Sequence, residues 1–331
     1  MSKSAPATPG TATLPTITVV IFTYNYSRFL PDVLASVFAQ TLKPTRIVVS
    51  DDCSPKDTLE DVQAACAGFE GVEIIRNPEN LGNIEHYRAR LSEVTTDAYL
   101  LMSADDYLID PEFLADAARL MADDEGLITV YGYHQPVDEH GRPLLLRRHV
   151  PDRAVTHLPA KVLRDELAIE NTVPAICTLI RTSVHDHIQA FPLHNRHCGD
   201  WLQWYVFTFY GDFARIERDV IHYRVHGDNM SVQYEAGRAV ARFIDEGYDT
   251  LLALTELNAR DREQLELGRQ RARFRHATVR ELPGVLLRAP MRSTTAAMLF
   301  ETLAARVSKH AGKMASERRR RFFGEGRSLM S

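Results

Sequence analysis

Leu100-Leu101-Met102-Ser103-Ala104-Asp105-Asp106-Tyr107-Leu108 decides the fold: an apolar run stops on two adjacent carboxylates. A buried strand, a turn at its end and a helix entered through Pro111 in its first turn fit this order of residues. Asp105 and Asp106 then stand at the carboxyl end of a strand, the edge at which open α/β sheets bind ligands. Taken alone, such a pair more often only shapes a turn and caps the next helix.

Upstream, the same pattern occurs three more times. Ile17-Thr18-Val19-Val20-Ile21-Phe22 is β-branched and apolar on both faces, as in a parallel strand, and ends at Thr23-Tyr24-Asn25. A helix follows, with Ser27 as its N-cap and Leu30, Val33, Leu34, Val37 and Phe38 on one face. Residues 46–50 form a second strand that stops on Asp51-Asp52, and a helix over about 57–69 turns Leu59, Val62 and Cys66 inward. A third strand, 72–76, runs into the turn-rich Asn77-Pro78-Glu79-Asn80-Leu81-Gly82, followed by a helix over about 83–93. Strand and helix alternate four times, which predicts right-handed βαβ units and a mainly parallel sheet. The four strand ends then line one edge. Four converging polar sets, two of them acidic, favour a ligand site over four unrelated turns.

The 331 residues, 45% hydrophobic and 25% charged, are enough for one large domain or two smaller ones with a full core. A formal net charge of -5 gives no global pull toward nucleic acid. The four cysteines are widely spaced with no C-x-x-C pair, which disfavours a zinc site or a disulfide framework and fits reduced cytosolic thiols. Residues 1–15 read as a disordered lead-in without the apolar core of a signal peptide, and no window approaches the ~18 apolar residues of a spanning helix. Neither G-x-G-x-x-G after the first strand nor G-x-x-x-x-G-K-[ST] is present, so phosphates would need positive charge from elsewhere, such as a divalent cation held by carboxylates.

Downstream, residues 111–123 form a helix with Phe113, Leu114, Ala117, Ala118 and Met121 inward, and 127–132 a strand. The pattern lapses over 133–159, a polar loop or hairpin placed to shape an acceptor pocket. A helix over about 160–169, a strand over 174–180 and a short helix after Thr182 precede Gly199-Asp200. Asp200 opens a helix to about residue 210, as N-cap or as functional acid; Trp201 and Trp204 suit a sugar-stacking wall or a core equally. Residues 215–224 read as an edge strand leading to His226. From 235 the chain is mostly helical, with Val240, Phe243, Ile244, Tyr248, Leu251, Leu252 and Leu254 inward, a charged segment over 258–275 and an apolar-faced helix over 298–307. The tail Arg318-Arg319-Arg320-Arg321-Phe322-Phe323 suits an anionic bilayer surface, and a solvated helix would carry the same residues. Four arginines on a net acidic chain are thin support for nucleic-acid contact.

Six separated stretches, in order, carry a resemblance. Val19-Val20-Ile21-Phe22-Thr23-Tyr24-Asn25 is similar to V-V-I-P-T-Y-N with Phe22 in place of proline, Ser36-Val37-Phe38-Ala39-Gln40-Thr41 to S-[VL]-x-x-Q-T, and Val48–Ser54 to V-V-D-D-G-S with Cys53 in place of glycine. Asn80-Leu81-Gly82 is similar to N-x-G, Gly199-Asp200-Trp201-Leu202-Gln203-Trp204 to [EG]-D-x-x-x-W, and Tyr223-Arg224-Val225-His226 with Asn229 and Ser231 to Y-R-x-H-x-x-N-x-S. Over residues 16–232 the chain resembles the family-two inverting glycosyltransferases of the GT-A fold.

The resemblance implies an α/β, Rossmann-like GT-A domain over 16–232, with a nucleotide-binding half at 16–110 and an acceptor half at 111–232. A helical C-terminal region over 233–331 would follow. It implies a UDP- or dTDP-sugar donor and a glycan or lipid-linked hydroxyl as acceptor, with Asp200 as general base. Thr23, Tyr24, Asn25, Asp52, Gly82, Arg88, Ser103 and Asp105 would bind the donor, with Asp52 on the base. Asp105, Asp106 and His226 would hold Mn²⁺ or Mg²⁺, a nitrogen ligand tilting the choice toward Mn²⁺. The family's D-x-D falls on residues 103–105, and Ser103 replaces its first carboxylate, which implies weaker metal binding. The expected location is cytoplasmic, with peripheral contact at an anionic membrane. The competing readings are a degenerate sugar-nucleotide-binding protein, suggested by Ser103, and a nucleotidyltransferase, which wants a glycine-rich basic loop that is absent here.

Overall fold

The computed structural model describes residues 13–144, 154–185, 187, 198–229 and 240–276. The chain divides into two compact units, residues 1–237 and 238–331. In the first, four strands follow from the β-branched runs: β1 (Ile17–Thr23), β2 (Arg46–Asp51), β3 (Val72–Arg76) and β4 (Ala98–Ser103). They pair in parallel in the order β3-β2-β1-β4. The register sets Phe22 opposite both Ser50 and Ser103, and Thr23 opposite Asp51, so the polar strand ends do share one edge.

The intervening helices are α1 (Leu30–Phe38), α2 (Leu59–Cys66) and α3 (Asn83–Leu91). Ser27 does not cap α1: it opens a short 3-10 turn, its N–H donates to Asp57, and the α-helix starts at Leu30 ahead of Pro31. In α2, Thr58 and Asp61 form a reciprocal capping box, which starts the helix at Leu59 and leaves that leucine exposed rather than inward. Val62 and Cys66 are buried as expected.

The second half of the sheet is mixed. It holds β5 (Tyr107–Leu108), β6 (Leu127–Asp138), β7 (Val155–Leu158), β8 (Thr178–Arg181) and β9 (Asp212–Val225). The order continues β4-β8-β6-β9-β5, with β7 also on β9. β8 runs antiparallel to β4 and β6, whereas β6 and β9 are parallel. Two sequence expectations change here. Residues 133–138 continue β6 instead of entering a loop, and β9 is an interior strand because β6, β5 and β7 all pair with it. Its polar residues find partners, as when Glu217 accepts from Tyr133, Thr156 and Arg215. Gly132 is required where β6 passes β9, since a Cβ there would lie 2.6 Å from a Val220 methyl.

Three residues, 104–106, join β4 to β5, although the sheet order places β5 four positions away. Four flat strand spacings would measure about 19 Å, more than the ~14 Å that four Cα–Cα links can reach, so the sheet has to curl. The curl brings the carboxyl end of β9 onto that of β4, with the Asp105-Asp106 turn between them. Helix α4 (Phe113–Asp123) buries the five side chains expected of it, and α5 (Ala160–Leu167) and α6 (Gly199–Phe207) pack beyond.

The second unit contains α7 (Val240–Leu252) and α8 (Ala259–His276). The charged 258–275 segment is thus helical: Asp245 on α7 accepts from Arg269 and Arg273, while Tyr248, Leu251, Leu265 and Phe274 are buried. No described helix is long and apolar enough to cross a membrane. The apolar-faced 298–307 stretch and the 318–323 tail lie outside the described residues.

Candidate active site

The ends of β1 and β2 are laced together. Asn25 at φ 63° and Cys53 at φ 55° turn both loops through the left-handed region. The Asn25 N–H donates to Ser54 Oγ at 2.8 Å, and the Lys56 N–H to Asn25 Oδ1 at 2.9 Å. Asp51 is fully buried and accepts from Arg76 Nη1 and Ser54 Oγ. Its neighbour Asp52 takes three donors: Asn77 Nδ2 at 2.8 Å and Leu81 N at 2.9 Å on Oδ1, and Gly82 N at 2.9 Å on Oδ2. The carboxylate organises the Asn77–Gly82 loop, which Gly82 leaves at φ 76° to open α3. Thr23 is buried with no partner for its hydroxyl among the described residues, and Tyr24 is exposed at the rim. Arg88 lies on α3, 3.4 Å from Glu85.

His86, one turn into α3, was not singled out by sequence, although it stands four residues past Gly82 of the N-x-G loop. Its Nε2 sits 2.6 Å from Ser50 Oγ, and its ring meets Phe22 edge-on with centroids 4.9 Å apart. Burial brings its pKa down to about 4, against the upward pull of Asp52, so the imidazole under this loop is neutral near pH 7.

At the end of β4 the arrangement differs. Asp105 Oδ2 receives His226 Nε2 at 3.0 Å and Asn229 Nδ2 at 3.1 Å, while the buried Oδ1 has no hydrogen-bond partner among the described residues. The His226 ring stacks on Phe29 with centroids 5.6 Å apart and meets Tyr26 edge-on. Its Nδ1 accepts the Asp228 N–H at 3.3 Å, which assigns the ring proton to Nε2 and makes His226 a donor to Asp105. To ligate a cation through Nε2 it would have to release that bond. Tyr26 Oη donates to the Asp228 carbonyl at 3.0 Å, tying the segment after β9 to the loop after β1.

Asp106 points elsewhere: its Oδ1 accepts the Arg224 N–H at 2.9 Å, across the curl of the sheet. Burial, then the like charge of Asp105, push its carboxyl well above the ordinary range, while the Arg224 backbone and charge pull the other way. The Arg224 guanidinium is buried over the rings of Phe29 and Tyr107 and reaches Asp32 at 2.8 Å. Ser103 ends β4 and is half-buried.

Asp200 lies in the first turn of α6. The helix is fixed from two sides. Trp201 Nε1 donates to the Leu167 carbonyl at 2.7 Å, and Tyr87 Oη from α3 donates to Gln203 Oε1 at 2.9 Å. Trp201 and Trp204 are therefore core residues, not an open stacking wall. Asp200 Oδ2 accepts Asn171 Nδ2 at 2.9 Å. Burial raises its pKa above the ordinary carboxylate value, against the pull of the Trp201 N–H and the Asn171 amide.

Among the described residues no cluster of three or more His, Cys, Asp or Glu side chains is placed to hold a metal ion. The residues still fit a divalent cation of the Mg²⁺ type, which takes one or two carboxylates and completes its shell with water and phosphate oxygens. Asp105 supplies a buried carboxylate oxygen lacking a partner among the described residues, held in place from its other side.

A mixed, mostly parallel, curled sheet with acidic residues along its carboxyl edge is the architecture of a GT-A glycosyltransferase, as expected from the sequence. The sequence profile of "Glycosyl transferase family 2" matches residues 18–188, just over half of the chain, and the chain belongs to that family. An uncharacterized glycosyltransferase of Haemophilus influenzae is 20% identical over 222 residues, covering 66% of this chain and 68% of that protein. Among solved structures, S. aureus TarS 1-349 in complex with UDP-GlcNAc matches with a TM-score of 0.61 at 18% identity, over 87% of this chain and 79% of that one. The mannosyltransferase PcManGT from Pyrobaculum calidifontis, in complex with GDP-Man and Mn²⁺, matches with a TM-score of 0.58 at 17% identity, over 92% and 84%. At these identities the structural likeness is one of fold.

Proposed function

We propose that this glycosyltransferase inverts the anomeric centre as it moves a sugar from a nucleotide diphosphate donor, UDP- or dTDP-linked, to a hydroxyl of a glycan or lipid-linked acceptor. The observation that carries the reading is the half-satisfied Asp105 carboxylate, steered by His226 and Asn229 and set on the same sheet edge as the Asp52 loop. Asp105 would hold a Mn²⁺ or Mg²⁺ ion, with His226 joining only on releasing its bond to Asp105. Asp106, turned to the Arg224 backbone, would shape the site from behind. Such an ion supplies positive charge against the diphosphate leaving group. Asp52 would meet the nucleotide base through the loop it organises, with Thr23, Tyr24, Asn25 and Gly82 around it, and Ser103 would bond the ribose. Arg88 would reach the phosphates only by leaving Glu85.

Asp200 would take the proton of the acceptor hydroxyl as its oxygen attacks the anomeric carbon opposite the departing diphosphate. Its raised pKa makes it a better base than an ordinary carboxylate. The base works ionised, so kcat/KM should fall as pH drops through a pKa raised above the ordinary aspartate value. The basic 318–321 run beside Phe322 and Phe323 supports an acceptor presented at an anionic, cytoplasm-facing membrane surface.

The test is release of nucleoside diphosphate from a panel of UDP-, dTDP- and GDP-sugars with Mn²⁺, with the product's anomeric configuration read by NMR. Asp200→Asn should cost about 10²- to 10⁴-fold in turnover. Undiminished turnover in that variant, or retention of configuration, would contradict the reading.

A further inference from the structure

As the base, Asp200 has to present one carboxylate oxygen to the acceptor, and beyond the Trp201 backbone N–H that orientation calls for a side-chain donor. The segment after α5 answers this from two points. The Leu167 carbonyl is held by the Trp201 indole, and four residues later Asn171 Nδ2 reaches Asp200 Oδ2 at 2.9 Å. The orientation of the amide is itself fixed, because Asn171 Oδ1 accepts the N–H of buried Val173 at 3.3 Å, which turns the NH₂ group toward the carboxylate. We infer that Asn171 is the positioning residue for Asp200: it pins one carboxylate oxygen and leaves the other for the acceptor proton. This rests on Asp200 being the base.

The chemistry suits the task. A neutral amide donor orients a carboxylate without the charge of an arginine or lysine, which would pull the pKa down and weaken the base. Facing Asp200 from α3 is the titratable Tyr87, whose phenol burial holds well above its ordinary value, so it stays neutral and donates its hydrogen bond to Gln203 Oε1. Trp201 contributes a backbone N–H. Asn171 itself is exposed, so its replacement removes the hydrogen bond without opening the core.

The experiment compares Asn171→Ala and Asn171→Asp with the unmodified enzyme and with Asp200→Asn, reading kcat and KM for donor and acceptor across pH. Loss of a hydrogen bond to the ionised base should move the acidic limb of kcat/KM upward by about one pH unit. Below that limb kcat should fall about tenfold, with donor KM unchanged. Asn171→Asp, which sets a like charge beside the base, should move the limb further up. That order, aspartate above alanine above asparagine, is one a purely structural role would not produce. An inactive Asp200→Asn beside an Asn171→Ala enzyme with unshifted limb and unchanged kcat overturns the inference and leaves the base reading standing. An active Asp200→Asn enzyme removes the base reading and the inference with it.

Discussion

Two Asp-Asp pairs end two parallel strands of the same sheet, and the fold treats them in opposite ways. At Asp51-Asp52 every carboxylate group is engaged: Asp51 by Arg76 and Ser54, Asp52 by Asn77 and the Leu81 and Gly82 amides. At Asp105-Asp106 one side chain bonds the Arg224 backbone, while the other keeps a buried oxygen without a partner among the described residues. A carboxylate with its lone pairs filled shapes the chain around it, whereas one held on a single side is ready for a ligand. The same dipeptide at the same kind of strand end builds a loop in one place and, in the other, keeps a buried carboxylate oxygen without a partner among the described residues.

This contrast can be broken by mutation, the largest effect first. Asp105→Ala should lower turnover about a thousandfold, the scale of losing a main stabiliser of transition-state charge. Its cost in stability should be the smaller one, about 1–2 kcal/mol, because Oδ1 bonds nothing among the described residues and only the Oδ2 bonds from His226 and Asn229 are lost. Asp51→Ala should do the reverse. It leaves Arg76 with only the Ser54 and Asp57 carbonyls and no counter-charge, so urea unfolding should register a loss of about 3 kcal/mol, the scale of a broken buried pair. If Asp105→Ala proved the more destabilising of the two, the contrast would be wrong.

Asp52→Asn sharpens the comparison within the loop-building pair. An amide cannot accept on both sides, so one of the loop donors is left facing an NH₂ group, at a cost of about 1–2 kcal/mol in urea unfolding. Donor KM should rise about tenfold by the same energy. The smallest effect is expected of Ser103→Asp, which restores a second carboxylate beside Asp105. Titration of turnover with Mn²⁺ should then show half-saturation at a severalfold lower concentration, as an added charged ligand tightens a divalent site.

How far all this could be read from the sequence depends on how local the determinants are. Strands β1 to β4 carry unbroken β-branched runs, and their helices carry apolar stripes, so the parallel half and its polar edge were legible. Tyr107-Leu108 is too short to show any period. Residues 133–138 and 212–225 are polar enough to pass for loop and edge, because their partners lie across the sheet in remote sequence, as with Tyr133 and Glu217. Helix α8 is charged around its circumference and shows no stripe. Within the site the acidic residues were visible, but not which oxygen was filled. Asn229 reaches Asp105 across 124 residues and Asn171 reaches Asp200 across 29, and no spacing rule encodes such contacts.

The central claim is that Asp105, and not Asp52, is the carboxylate on which metal and nucleotide meet. The most direct measurement is calorimetric titration of UDP into the protein with and without Mn²⁺, in the unmodified chain and in Asp105→Asn and Asp52→Asn. The account requires Mn²⁺ to tighten UDP binding in the unmodified chain and in Asp52→Asn, and to have no effect in Asp105→Asn. An undiminished Mn²⁺ effect in Asp105→Asn would contradict it.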